Sequence, residues 1–280
     1  MAVAEVNFVG GELATRIIVG IGLIATAVVA VWYGDFAFTA FVAAAVLLMS
    51  AEWSVMHRIP RGIRLASLIV LAATGTVAAS QSALDALLLL AGSAGGLGLF
   101  VRSFDRPRAS WVAGGLLYCG SPMIALIWLR SLATEGVALT ITVFAIVWAT
   151  DIGAYFAGRA IGGPKLAPAI SPNKTWAGVL GGLVAATSIG AISATFGFGP
   201  AIGGGRGSVA AIIVASGVAA LLAVIAIGGD LFESWLKRRA GVKDSGNLLP
   251  GHGGVMDRID GLVPVAVVAA LLAAANEIGR

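Results

Sequence analysis

Apolar stretches close to the length that crosses a bilayer recur along almost the whole chain, and nothing else in the sequence constrains the fold as strongly. A helix needs about 20 residues to cross roughly 30 Å of hydrocarbon, and a helix satisfies its own backbone hydrogen bonds there. Hydrophobic residues make up 59% of the chain and charged residues 11%, with a mean hydropathy of +0.97, so a water-soluble fold is excluded. The expected architecture is an all-α polytopic membrane protein, one domain over 1–280, with about nine transmembrane helices. They fall at 17–33, 36–48, 65–80, 83–101, 111–129, 137–156, 176–196, 208–227 and 261–275. Residues 1–15 form a short interfacial helix in this reading.

Nine spans put Arg130, Arg206 and Arg280 on one side and the other fifteen of the 18 basic residues opposite, which predicts a cytoplasmic N-terminus. The formal charge of +4 is thereby explained without a nucleic-acid partner. Arg16 before an apolar run resembles a signal peptide, but Glu5 and Glu12 precede it and no small-residue cleavage site follows, so this segment is an anchor. Cys119 is expected to be packing within a helix. The glycine runs at 92–98 and 178–182 lack the strand context and Gly-Lys-Ser/Thr ending of a phosphate loop, and read as close helix packing.

Six of the 14 acids, Asp151, Asp230, Glu233, Asp244, Asp257 and Asp260, lie in or beside two cytoplasmic loops, 157–175 and 229–260. Asp151 interrupts an apolar run and Asp230 ends one. A carboxylate at membrane depth costs about 2.5 kcal/mol or more, so each should face a polar cavity or a cation; the alternative is snorkelling at the rim. Asp257 and Asp260, three apart, share a helical face. Two such carboxylates repel unless a cation lies between them, and hard oxygen ligands suit Mg²⁺; Asp230 is placed to complete the site. Lys237, Arg238, Arg239, Lys243 and Arg258 surround these acids, the mixture that transfer at a phosphate requires. Pro250-Gly-His252-Gly253-Gly254 makes a tight turn in which His252 binds phosphate, positions the turn or ligates metal. Ser171-Pro172 reads as a helix start that leaves N–H groups and Lys174 open to an anion.

The spaced pattern Ser234-x-x-Lys237-Arg238, Lys243-Asp244, His252-Gly253-Gly254, Asp257-Arg258-x-Asp260 resembles the signature of the phosphatidate cytidylyltransferases, the CDP-diacylglycerol synthases. Asp151-x-x-Ala-Tyr155-x-x-Gly158-Arg159 and Ser171-Pro-x-Lys174-Thr175 are similar to that family's second region. The resemblance covers 137–280, the catalytic half; 1–136 carries no assignable motif. Ala177 departs from the pattern where many members have Glu. The resemblance implies CTP + phosphatidic acid → CDP-diacylglycerol + pyrophosphate, dependent on Mg²⁺, with a second metal or a monovalent cation left open. It also implies metal binding by Asp230, Asp257 and Asp260, with Lys237 beside them in catalysis. Substrate binding falls to Ser171, Lys174, Arg238, Lys243, His252 and Arg258. The implied partners are CTP, phosphatidic acid, the lipid bilayer and a second copy in a homodimer. The implied location is the bacterial inner membrane, with the site facing the cytoplasm. An ion-coupled transporter and a CTP-dependent lipid kinase are the competing readings; clustering of the polar residues on one face disfavours the first, and product analysis separates the second.

Overall fold

The computed structural model describes residues 2–80, 82–133, 135–196, 207–248 and 253–278, with side chains described from residue 18 onward apart from 35, 277 and 278. In chain order the helices are α1 (Ala2–Tyr33), α2 (Asp35–Met56), α3 (Arg61–Ser80), α4 (Ala83–Arg102), α5 (Arg106–Ser131) and α6 (Gly136–Ala160). A hairpin of β1 (Lys165–Ala167) and β2 (Ser171–Thr175) follows, then α7 (Trp176–Phe196), α8 (Val209–Ala240), the single turn α9 (Met256–Ile259) and α10 (Leu262–Ile278). Each of the nine apolar segments expected from the sequence lies within one long helix or, for 208–227 and 261–275, begins one residue before it. Seven of these helices, α2 to α8, are long and apolar enough to cross a membrane; 18–33 of α1 and 262–276 of α10 are shorter apolar segments.

Local chemistry sets the ends of these helices. Ser82, Asp105 and Ser208 accept hydrogen bonds from Asp85 N, Arg108 N and Ala211 N, which satisfies backbone donors that have no partner inside the helix. Gly241, at φ 76°, stops α8 in a left-handed conformation that favours glycine. Three expectations are corrected here. α1 is continuous from Ala2, because nothing between 1–15 and the first apolar run breaks it. α8 runs on to Ala240, so 229–240 is helix rather than loop. Ser171-Pro172 opens strand β2, not a helix: Ser171 pairs with Ala167 and Lys165 with Thr175. A two-stranded hairpin is all edge, where a proline's missing donor is tolerated. The helix start lies at Thr175, whose Oγ1 accepts from Gly178 N at 3.1 Å.

α5 is the central post: two thirds of its membrane window is buried, against two fifths or less in the other six. It packs against α2, α3, α4, α6 and α10 and carries Cys119 fully buried. The N-terminal core gathers α2 to α5, and a second core joins α6, α7, α8 and α10 through Val143, Val147, Ala186, Ala219, Ala223 and Val265. Small residues let α6 and α7 approach closely. A Cβ on Gly153 would lie 2.5 Å from Gly181 O, and one on Gly181 would lie 2.6 Å from Gly153 O. The 178–182 run is therefore a packing stripe, whereas in the 92–98 run only Gly98 meets a neighbour, Ala113 Cβ. Gly181→Val is expected to cost about 1–3 kcal/mol by overpacking. The measurement is thermal melting in detergent, with Gly217→Ala, which meets nothing within 4 Å, as the unchanged control.

Candidate active site

The last turns of α6, the hairpin, the polar end of α8 and α9 surround a cavity of about 860 Å³. Its walls carry Asp151, Tyr155 and Arg159 from α6, Lys174 from β2, Asp230 and Lys237 from α8, then Asp244, Asp257, Arg258 and Asp260. The length of α8 explains the convergence. Residues 230, 233, 234 and 237 recur at helical spacing, so one face of a membrane helix carries charge beyond its apolar part. Gly229 brings that face up to α9: a Cβ there would lie 2.6 Å from Asp260 O.

Asp230, Glu233 and Asp260 form the one acidic group among the described residues whose ligand oxygens all lie within 4.8 Å of one another. Burial, and then the charges of Asp230 and Glu233, hold the Asp260 carboxyl well above the usual carboxylate range. Two lysines offset part of this repulsion. Lys174 Nζ lies 2.5 Å from Asp230 Oδ2, and Lys237 Nζ lies 2.8 Å from Glu233 Oε2. Three converging carboxylates fit a hard divalent cation by donor chemistry.

Asp257 has different partners. Its Oδ1 accepts from Lys237 Nζ at 2.6 Å, and its Oδ2 from Gly254 N at 2.8 Å and Ser245 N at 3.0 Å. Burial would raise this carboxyl, but the Lys237 ammonium and the backbone N–H groups outweigh it and hold Asp257 below the usual range. Of the three acids expected to share a metal, Asp230 and Asp260 converge with Glu233, one helical turn from Asp230, and Asp257 shares Lys237 with Glu233.

Of the expected substrate-binding residues, Lys174 and Arg258 line the cavity. Arg238 reaches away instead, its Nε 3.5 Å from Ile170 O and its guanidinium 3.4 Å from Val242 O. Lys243 is exposed on the loop after α8, and Ser171 is held in the hairpin register; neither is among the lining residues. His252 lies outside the described residues. The other histidine, His57, stacks on Trp111 at 4.0 Å, where burial pushes its imidazole down to about 4.

Sequence reasoning missed Glu52, which is 4% exposed on α2 and accepts from Val255 N, Met256 N and Ser245 Oγ. The signal that flagged Asp151 and Asp230, an acid inside an apolar run, was present there too: Leu47-Leu-Met-Ser-Ala-Glu52-Trp53.

The sequence matches the cytidylyltransferase family over residues 14–275. It is 40% identical over 265 residues to the phosphatidate cytidylyltransferase of Brucella suis, an alignment covering 94% of each chain. The phosphatidate cytidylyltransferases of Pseudomonas aeruginosa and Haemophilus influenzae are each 47% identical over shorter stretches. These cover 49% and 46% of this chain and 48% and 43% of theirs. With the match extending over nearly its whole length, including the first five spans where no motif is visible, the chain belongs to the cytidylyltransferase family.

Proposed function

We propose that this protein is a phosphatidate cytidylyltransferase: it transfers the cytidylyl group of CTP to phosphatidic acid, forming CDP-diacylglycerol and releasing pyrophosphate. The observation that carries this reading is a cavity in which phosphate-binding cations and the Asp230 and Asp260 carboxylates, backed by buried Glu233, meet a wall of membrane helices. Ala154, Val179 and Ile227, from α6, α7 and α8, supply the apolar part of that wall, suited to a lipid.

In the reaction an anionic phosphate oxygen of phosphatidic acid attacks the α-phosphorus of CTP, and the bond from that phosphorus to the β-phosphate oxygen breaks. The nucleophile is already ionised, so holding two polyanions in line and neutralising their charge matters more than a general base. Arg159, Lys174, Lys237 and Arg258 are the cavity's basic side chains, and they bind and orient the phosphates. Five aspartates face them and offset their charge, so the cavity by itself carries no large positive excess for its polyanionic substrates. Asp230, Glu233 and Asp260 are the residues that would hold a divalent cation, Mg²⁺ by the hardness of the donors, which supplies charge neutralisation at the phosphoryl oxygens. Asp257 holds Lys237 in place.

The fifteen basic residues that nine spans gather on one side support a cytoplasmic site and N-terminus, with CTP entering from water and the lipid from the leaflet of a bacterial inner membrane. A Cβ added at Gly92, Gly95 or Gly96 of α4 would meet nothing within 4 Å, which leaves a small-residue face open to a second copy.

The deciding experiment supplies α-labelled CTP, phosphatidic acid and Mg²⁺ to purified protein in mixed micelles. The expected product is an organic-extractable CDP-lipid, formed with pyrophosphate and lost on addition of EDTA. Phosphorylated lipid with CDP would establish a kinase instead, and undiminished product in EDTA would remove the metal from the mechanism.

A further inference from the structure

We propose that Glu52, contributed by α2 from the half of the chain without a recognisable motif, is a positioning residue that sets the cavity's two C-terminal aspartates. The inference rests in part on the reading of Asp230, Glu233 and Asp260 as a cation site. α9 is a single turn, too short to hold itself in place, yet Asp257 lies within it and Asp260 at its end. The first backbone N–H groups of a helix have no internal partner. Here Val255 N donates to Glu52 Oε1 and Met256 N to Glu52 Oε2, both at 2.9 Å, so a carboxylate from another helix caps this turn. The Ser245 hydroxyl lies 3.0 Å from both Glu52 Oε2 and Asp257 Oδ2 and links the two acids, its one proton serving one of them at a time.

The loop is shaped to this carboxylate. A Cβ on Gly246 would lie 2.8 Å from Glu52 Oε1, and one on Gly254 would lie 2.6 Å from Glu52 Oε2 and collide with Ser245 Oγ. Each oxygen accepts from a backbone N–H group, and an isosteric amide would turn an NH₂ group toward one of these donors. Trp53, the next residue, donates from its indole N–H to Trp111 O at 2.9 Å and ties α2 to α5. The cap is thereby fixed to the central post, 203 residues away in sequence from the turn it holds.

Glu52→Gln, Glu52→Ala and Ser245→Ala, purified in mixed micelles, test this. Three readouts are compared: kcat and KM for CTP, nucleotide-free Mn²⁺ affinity by electron paramagnetic resonance, and thermal melting for the folded fraction. Glu52→Gln is expected to lower kcat per folded molecule about tenfold to a hundredfold and to weaken Mn²⁺ binding, with KM for CTP little changed. Ser245→Ala should show a smaller loss of kcat with the melting temperature retained. A space-filling role predicts instead that Glu52→Gln, which keeps the volume, loses activity only in proportion to lost folded protein; that result, or wild-type kcat, overturns the proposal. If the glutamine variant does not fold, a wild-type kcat in Ser245→Ala overturns it equally. Should wild-type protein bind no Mn²⁺ while Glu52→Gln still loses kcat, the cation site fails and the positioning role stands.

Discussion

Asp260→Asn lowers kcat by about 10²–10³-fold, the range seen when one preorganised charge partner is removed from a reacting centre. The substitution keeps shape and volume, and the amide oxygen can still accept from Gly261 N, now 2.7 Å from Asp260 Oδ1. What it removes is charge at the point where Asp230 and Glu233 converge. In the metal-free protein that charge is unfavourable, since burial and two neighbouring carboxylates already hold Asp260 well above its ordinary range. The variant therefore melts no lower than wild type in EDTA. It also loses the rise in melting temperature that Mg²⁺ confers on wild type by binding the native state. A variant that is inactive, folded and thermally indifferent to Mg²⁺ separates loss of a ligand from loss of structure. Retained activity, or a retained Mg²⁺ shift, removes Asp260 from the cation site.

The membrane architecture was legible because hydrocarbon imposes one rule on every span, and α2 to α7 follow it with little ambiguity. Where α8 ends was not legible from hydropathy: Asp230, Glu233 and Lys237 read as polar loop, although their spacing of three and four is that of a helical face. The same spacing brings Glu233 beside Asp230, since one turn of a rigid helix fixes their separation, while Asp257 pairs with Lys237 and two backbone donors. The hairpin at 165–175 escaped because five residues are too few to distinguish an edge strand from a capped helix start. Glu52 could be flagged as an intramembrane acid, but no local pattern ties it to a turn about two hundred residues later. Only the fold brings the motif-bearing half and the motif-free half to one carboxylate.

Lys237→Met is expected to be the most damaging single change, because it strikes stability and activity together. The ammonium sits 2.6 Å from Asp257 Oδ1 and 2.8 Å from Glu233 Oε2, with its side chain 12% exposed. Methionine retains the length and much of the volume but leaves two buried carboxylates facing each other without a cation. Breaking a buried pair in this way costs about 3–5 kcal/mol. The melting temperature should fall accordingly, and turnover should drop by about 10²-fold or more as a phosphate-binding charge disappears. Pairing the change with Glu233→Gln distinguishes the two effects. The second substitution removes one stranded charge, so Lys237→Met/Glu233→Gln should recover much of the lost melting temperature, the non-additivity expected of contacting residues. Activity should not recover, since methionine supplies no charge for a phosphate and Glu233→Gln also alters the proposed cation site. Recovery of both would make Lys237 a purely structural counter-charge, and recovery of neither would place its main contribution at Asp257.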